Sequence, residues 1–389
     1  MSAAVQGPVL TAELLAELAA YAESVGLLRL GAADLDDPGF AAAGAALDRF
    51  LAAGKAGDMD FLARTQAVRK DPAQMLPGAR SVLVAAVPYT GDAAPVARYA
   101  RSLDYHTVVH QRLIALEKRM HDLLPGVATR ICVDTKPLLE RSAAALAGLG
   151  FLGKHGCLIV PGLGSYVLLG AILCTAARAG ASPRPALTSP PWAACGSCTR
   201  CLDACPTAAF DGPGDLDPRR CISYLTIEHR GPVPDELAAR MGERIAGCDV
   251  CQEVCPYNAS AARDRRVPAV AWISPPPRPI PDLETMAAIS PSQYRAHVRH
   301  MALRRIPRRS MRRNALLALG NRDGEPGPRE LHAVALGLLD PDVQVAAAAR
   351  RAAVRRCALQ AALDLAEQLR ARMAAAPTAD DDPHEDAAE

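Results

Sequence analysis

Eight of the chain's twelve cysteines lie between positions 195 and 255, and nothing else in the sequence restricts so sharply what the chain can fold around. The first run, CGSCTRCLDACP, places Cys195, Cys198, Cys201 and Cys205 ahead of Pro206 in the spacing C-x2-C-x2-C-x3-C-P. Two-residue gaps let three thiolates of one tight loop cap three irons of a cubane. The fourth cysteine, set apart by the start of a helix, reaches a second cluster. The second run, CDVCQEVCP, holds Cys248, Cys251 and Cys255 ahead of Pro256, and Cys221 can supply the ligand it lacks. By this crossed pattern Cys195, Cys198, Cys201 and Cys255 would hold one [4Fe–4S] cluster, and Cys205, Cys221, Cys248 and Cys251 the other. Zinc knuckles also use C-x2-C pairs. They do not use a C-x2-C-x2-C run closed by C-P, a pattern that recurs here. Cys132, Cys157, Cys174 and Cys357 sit in apolar runs and read as ordinary buried residues.

The redox compartment agrees with metal rather than disulfides. The N-terminus, MSAAVQGPVLTAELLAELAAYAESVG, has no basic n-region, twin arginine or cleavage site, so no export signal is expected. Apolar runs such as Tyr166–Ala177 are too short to span a bilayer. The expectation is a cytoplasmic protein off the membrane, where thiols stay reduced. A net charge of +2 does not by itself imply a nucleic-acid partner.

With 389 residues there is room for two or three domains. Residues 1–181 alternate strand-like runs (Leu27–Ala32, Ser81–Pro88, Thr129–Asp134, Leu158–Pro161, Tyr166–Cys174) with helical patterns near 11–24, 40–54, 103–123 and 136–147, the first capped by Thr11. This predicts an α/β domain. Residues 182–266, opening on the proline-rich SPRPALTSPPW, form the bacterial-ferredoxin-type domain. A second proline-rich stretch (267–282) leads to a helical region, 283–373, in which LLDPDVQVAAAARRAAVRRC (338–357) reads as one HEAT-type unit turning at Asp340-Pro341. The acidic end, 374–389, is expected to be disordered.

Two further features bear on function. Gly148-Leu149-Gly150-Phe151-Leu152-Gly153 fits G-x-G-x-x-G, but the glycines end a helical run instead of opening one, so a helix cap is expected and not a dinucleotide site. Between Arg295 and Arg313 stand eight arginines and no acidic residue. Arginine pairs with phosphate bidentately and stacks on unpaired bases, so Arg304, Arg305, Arg308 and Arg309 are candidate RNA contacts.

In order along the chain stand ARYARSLDYHTVV (97–109), VDTKPLLER (133–141), GFLGKHG, GSYVLLG, CGSCTRCLDACPTAAF, RRCISYLT, GCDVCQEVCP and RRNALLALGN (312–321). This series resembles the epoxyqueuosine reductases, departing from them at His155, where asparagine is commoner, and at Ala97, where some members place cysteine. The resemblance implies a cobalamin held between the α/β and ferredoxin domains, an external low-potential electron donor, and removal of the epoxide oxygen of epoxyqueuosine in tRNA. It implies Asp134 as the proton donor, for an alkoxide is a poor leaving group. The competing role for Asp134 is a helix cap at a strand–helix junction. The resemblance further implies corrin contacts from Arg69, Leu158, Val160, Ser165, Tyr166 and Leu169, with Ser223 and Thr226 facing the cofactor from the ferredoxin side, and His106 in the substrate site. Other roles compete here too: core or turn packing for the corrin contacts, and a structural one for a lone histidine at a helix start.

Two other functions share parts of this pattern. A reductive dehalogenase has the same domain order, but usually with a twin-arginine signal and without a basic helical tail. A ferredoxin-like carrier would leave the large α/β domain and Asp134 without a task.

Overall fold

The computed structural model describes residues 7–91, 95–179, 190–261 and 279–375; the acidic tail and most of both proline-rich stretches lie outside them. By backbone proximity the chain forms two units, residues 1–280 with 292–307, and residues 281–291 with 308–389.

In the first unit, four strands pair in the order Leu28–Asp34, Ser81–Pro88, Val167–Cys174, Thr129–Cys132. Every pairing is antiparallel, and Ser81 through Pro88 run in unbroken register against Cys174 through Val167. The layers are those that alternating strands and helices predict; the pairing differs from the parallel crossovers such alternation usually builds.

Ser81–Pro88 is buried along its whole length, so its side chains must satisfy two cores. Leu83, Ala85 and Val87 pack with Leu18, Leu113, Leu116 and Met120 of the helices Ala12–Ser24 and Tyr105–Leu123. Val82, Val84 and Ala86 pack on the opposite face with Phe40, Ala143 and Leu146 of the helices Pro38–Ala52 and Glu140–Leu146. Thr11 caps its helix as expected, accepting from the Leu14 amide. The glycine run does end a helix: Gly148 takes φ +79° and the Leu149 amide returns to the Ala144 carbonyl, a Schellman-type stop.

The cysteine-bearing part of this unit is built from short pieces. Helices Arg200–Asp203 and Val250–Glu253 carry Cys201 and Cys251, and Ile222–Ile227 follows Cys221. Asn258, in the helix Pro256–Ala261, binds this part to the α/β part. Asn258 Oδ1 accepts from the Ser165 amide at 2.6 Å, and the Ser165 hydroxyl donates to Gln252 at 3.0 Å.

The second unit is helical: Leu283–Ala288, Arg308–Leu319, Pro328–Leu338, Val343–Arg355 and Leu359–Ala375. Asp340-Pro341 stands at the turn between the third and fourth of these, and Asp342 caps the fourth. Cys357 is exposed, with φ +52°, and not buried as its apolar run suggested, because it occupies the left-handed position that closes the Val343–Arg355 helix. No described helix is long and apolar enough to cross a membrane.

Candidate active site

Asp134 follows the edge strand Thr129–Cys132 and takes φ +47°, a left-handed conformation that aspartate tolerates better than most residues. Its amide donates to Glu140 Oε1 at 2.8 Å, which fixes the turn. Its carboxylate caps nothing. The next helix starts at Glu140 behind Leu139, with no side-chain cap. Instead Asp134 Oδ2 accepts from the Tyr105 hydroxyl at 2.9 Å and lies 3.0 Å from His106 Nε2. The side chain remains 57% exposed, so it is fixed and still reachable.

Tyr105 and His106 open the long helix that packs beneath the sheet, with rings stacked 4.1 Å apart. Asp104 caps that helix through the His106 amide and also sits 2.7 Å from His106 Nδ1. The Asp104 amide is held in turn by the His300 carbonyl at 2.7 Å. Each imidazole nitrogen therefore faces a carboxylate oxygen, and only the doubly protonated ring can donate to both. Burial works against that charge, but the bonds to Asp104 and Asp134 prevail and lift His106 to about 9. The protein packed around its carboxyl would raise Asp134, yet His106 and Tyr105 hold it below the ordinary value. Glu140 is pushed up to about 8, first by burial and then by the Asp134 charge.

Two arginines surround this group. Arg305 pairs bidentately with Glu228, at 3.0 and 2.9 Å, lies 5.6 Å from the centre of the Phe61 ring, and lends its charge to Asp134. Arg69, half-buried, donates to Thr65 Oγ1 and the Leu138 carbonyl and faces Glu140 and Asp134. The structure thus gathers Asp134, His106, Arg69 and Arg305. It adds Asp104, Tyr105 and Glu140, which sequence reasoning did not single out although all three lie inside the quoted motifs.

Leu158 and Val160 are buried in the sheet's second core, while Leu169 is half-exposed. Ser165 is buried and committed to Asn258 and Gln252. The Tyr166 ring packs against the Arg98 guanidinium at 4.7 Å and edge-on to Tyr89 at 5.6 Å. Ser223 is half-buried. The buried Thr226 hydroxyl bonds to the Ile222 carbonyl and accepts from the Gly247 amide, the bonding of a packing residue.

The cysteines fall into two neighbourhoods. Burial and then the thiols of Cys195, Cys255 and Cys198 push Cys201 up to about 11. Burial and Cys205 raise Cys221, and burial lifts Cys248 to about 11 with Cys221 adding to it. Burial raises Cys251 further, helped by Cys157, Cys221 and Cys248. Cys157 is therefore no isolated core residue; it stands near Cys251 and Cys221 of one set and Cys255 of the other. Among the described residues no three His, Cys, Asp or Glu side chains gather tightly enough to hold a single metal ion. Thiolates around a multi-iron cube stand wider apart than that.

The arginine run is not one face. Arg312 and Arg313 are buried, Arg312 against the Ala287 carbonyl and Asp340, Arg313 against Asn314. Arg308 is half-buried and donates to the Ile289 carbonyl, whereas Arg304, Arg305 and Arg309 are exposed.

Residues 194–258 match the family model of a 4Fe-4S double cluster binding domain, and residues 69–135 match the one described as Epoxyqueuosine reductase QueG, DUF1730. An epoxyqueuosine reductase of Gloeobacter violaceus is 38% identical over 317 residues, covering 78% of this chain and 95% of that protein. One of a Synechococcus strain is 41% identical over 281 residues, covering 69% and 82%. A crystal structure of epoxyqueuosine reductase with an epoxyqueuosine-modified tRNA-Tyr stem loop superposes with a TM-score of 0.73 at 27% identity, covering 91% of this chain and 99% of that one. The Bacillus subtilis enzyme, in a structure with its aspartate-bearing catalytic loop swung out of the active site, gives 0.70 at 28% identity, covering 93% and 96%. Through its iron–sulfur domain, its fold and its identity to these relatives over most of their length, this chain belongs to the epoxyqueuosine reductase family.

Proposed function

We propose that this chain reduces epoxyqueuosine in tRNA to queuosine, the last step in making that nucleoside. The observation that carries the reading is Asp134, accessible yet held at one oxygen by Tyr105 and His106. Opening the epoxide and expelling its oxygen takes two electrons and two protons and releases one water. A carboxylate kept ionised by its neighbours has no proton of its own to give. The proton shared across the Asp134–His106 pair rests on Nε2 and reaches the departing oxygen through Asp134, while Asp104 steadies the ring from behind. Glu140 and Tyr105 hold Asp134 in place.

The electrons come from two [4Fe–4S] clusters on the crossed cysteine sets, fed by an external low-potential donor. Cobalamin, when bound, would supply a reducible cobalt centre for this two-electron chemistry. The residues present fit such a group. Among the described residues the buried Tyr166 hydroxyl and His155 Nε2 have no hydrogen-bond partner, and Val167, Leu168 and Leu169 are only half-covered. Arg69, Tyr166 and Leu169, with Leu158, Val160 and Ser165 behind them, would hold the corrin from the α/β side and Ser223 from the ferredoxin side. Arg304, Arg305, Arg308 and Arg309 are the proposed phosphate contacts, and the helical region is read as HEAT-like. A solved relative with a tRNA stem loop supports the tRNA partner. All of this belongs in the cytoplasm.

Anaerobic incubation with epoxyqueuosine-containing tRNA, cobalamin and a strong reductant, followed by nucleoside analysis, tests the reading. Queuosine should appear in proportion to enzyme. Unchanged epoxyqueuosine under conditions that bleach both clusters would sink it.

A further inference from the structure

Lys154 stands in the tight turn between the short strands Phe151–Leu152 and Leu158–Ile159, and it is only 8% exposed. Its ammonium reaches out of the α/β part and into the first cysteine loop. Nζ donates to the Gly196 carbonyl at 2.7 Å and to the Cys198 carbonyl at 2.9 Å. The Lys154 carbonyl accepts from the Gly214 amide at 2.8 Å, so backbone and side chain both hold the turn against the cysteine-bearing part. Among the described residues no carboxylate pairs with it. Lys55, by contrast, reaches Asp211 and Asp215 in the same neighbourhood.

A lysine is almost never buried without a counter-charge, because removing an ammonium from water is costly and carbonyl dipoles return only part of that cost. The loop it binds runs from Cys195 to Cys201, which carry three of the four thiolates assigned to one cluster. A four-iron cluster on four thiolates is dianionic when oxidised and gains another negative charge on reduction. Charge and hydrogen bonding around such a cluster set its potential. A buried cation gains most when the cluster's charge grows, so it favours the reduced state.

We propose that Lys154 is the counter-charge of the cluster held by Cys195, Cys198, Cys201 and Cys255, and that it holds that cluster's reduction potential above the value the thiolates alone would give. Lys154 is a positioning and tuning residue, not a catalytic one. It makes the α/β part a determinant of how easily this cluster takes an electron. The inference rests on the ligand assignment and does not depend on which substrate is reduced.

The test uses the full chain, purified anaerobically with both clusters, in Lys154→Gln and Lys154→Arg. Iron content is measured first, then the midpoint potentials by titration with dithionite followed by electron paramagnetic resonance. Gln keeps a donor for the two carbonyls and removes the charge. In Lys154→Gln one cluster should become harder to reduce while the other keeps its potential, and Lys154→Arg should sit close to the parent. Iron loss in Lys154→Gln that Lys154→Arg repairs also supports the counter-charge. Unchanged potentials in Lys154→Gln would overturn the proposal, as would equal losses in both variants, which would make Lys154 a matter of shape.

Discussion

Asp134 combines a left-handed backbone, an amide tied to Glu140 and a carboxylate tied to Tyr105 and His106. The substitution Asp134→Asn separates these features. Asparagine accepts φ +47° at least as readily as aspartate, so the fold and both clusters should survive. Asparagine cannot relay the proton held by His106, and conversion of epoxyqueuosine should fall by about 10²–10⁴-fold. Turnover and melting temperature on one preparation decide the matter; near-normal turnover would remove Asp134 from the mechanism. The aspartate itself is legible in the chain, within VDTKPLLER after an apolar run. Its partners are less so. His106 lies 28 positions upstream, and only the antiparallel sheet and the long helix beneath it bring the two within 3.0 Å. Asp104 and Tyr105 were quoted in a motif, but their work as cap and donor follows from helix geometry that a string of letters does not carry.

Among the elements, the Arg308–Leu319 helix shows why charge density misleads. From Ser310 to Leu319 every residue is buried, so arginine here includes core residues, with Arg313 only 2% exposed. Arg312 keeps its charge inside by bonding to Ala287 and Asp340, the aspartate read from the sequence as a turn residue. Asp340→Ala leaves that guanidinium buried and unpaired, a loss expected to cost about 3–5 kcal/mol. The exposed Arg309→Ala should stay within about 0.5 kcal/mol. Thermal melts of the two variants check the contrast; similar melts would mean that the Arg312–Asp340 pair contributes little. The strands were legible where burial is two-sided and the apolar run unbroken. Ser81–Pro88 is found as expected, whereas the expected Thr129–Asp134 strand stops at Cys132 because Asp134 leaves the β region. Pairing direction was not legible, since alternation of strands and helices specifies layers and leaves partners open.

At the scale of the molecule, the proposed cluster ligands come from three separate stretches, so iron content reports on folding of the whole cysteine-bearing part. About eight irons per chain are expected, and Cys221→Ser should lose about half of them while leaving the other cluster assembled. Full iron with an unchanged spectrum in Cys221→Ser would reassign the eighth ligand. Residues 292–307 return to the first unit, where the His300 carbonyl holds the Asp104 amide and Arg305 lends its charge to Asp134. A ribosome delivers Asp134 long before Arg305. At about 5–20 residues per second, roughly 10–30 s separate the two. A nascent chain therefore carries Asp134 for that interval without the Arg305 charge behind it, and a message broken before codon 292 would yield a product with all eight clustered cysteines in place and an unfinished site.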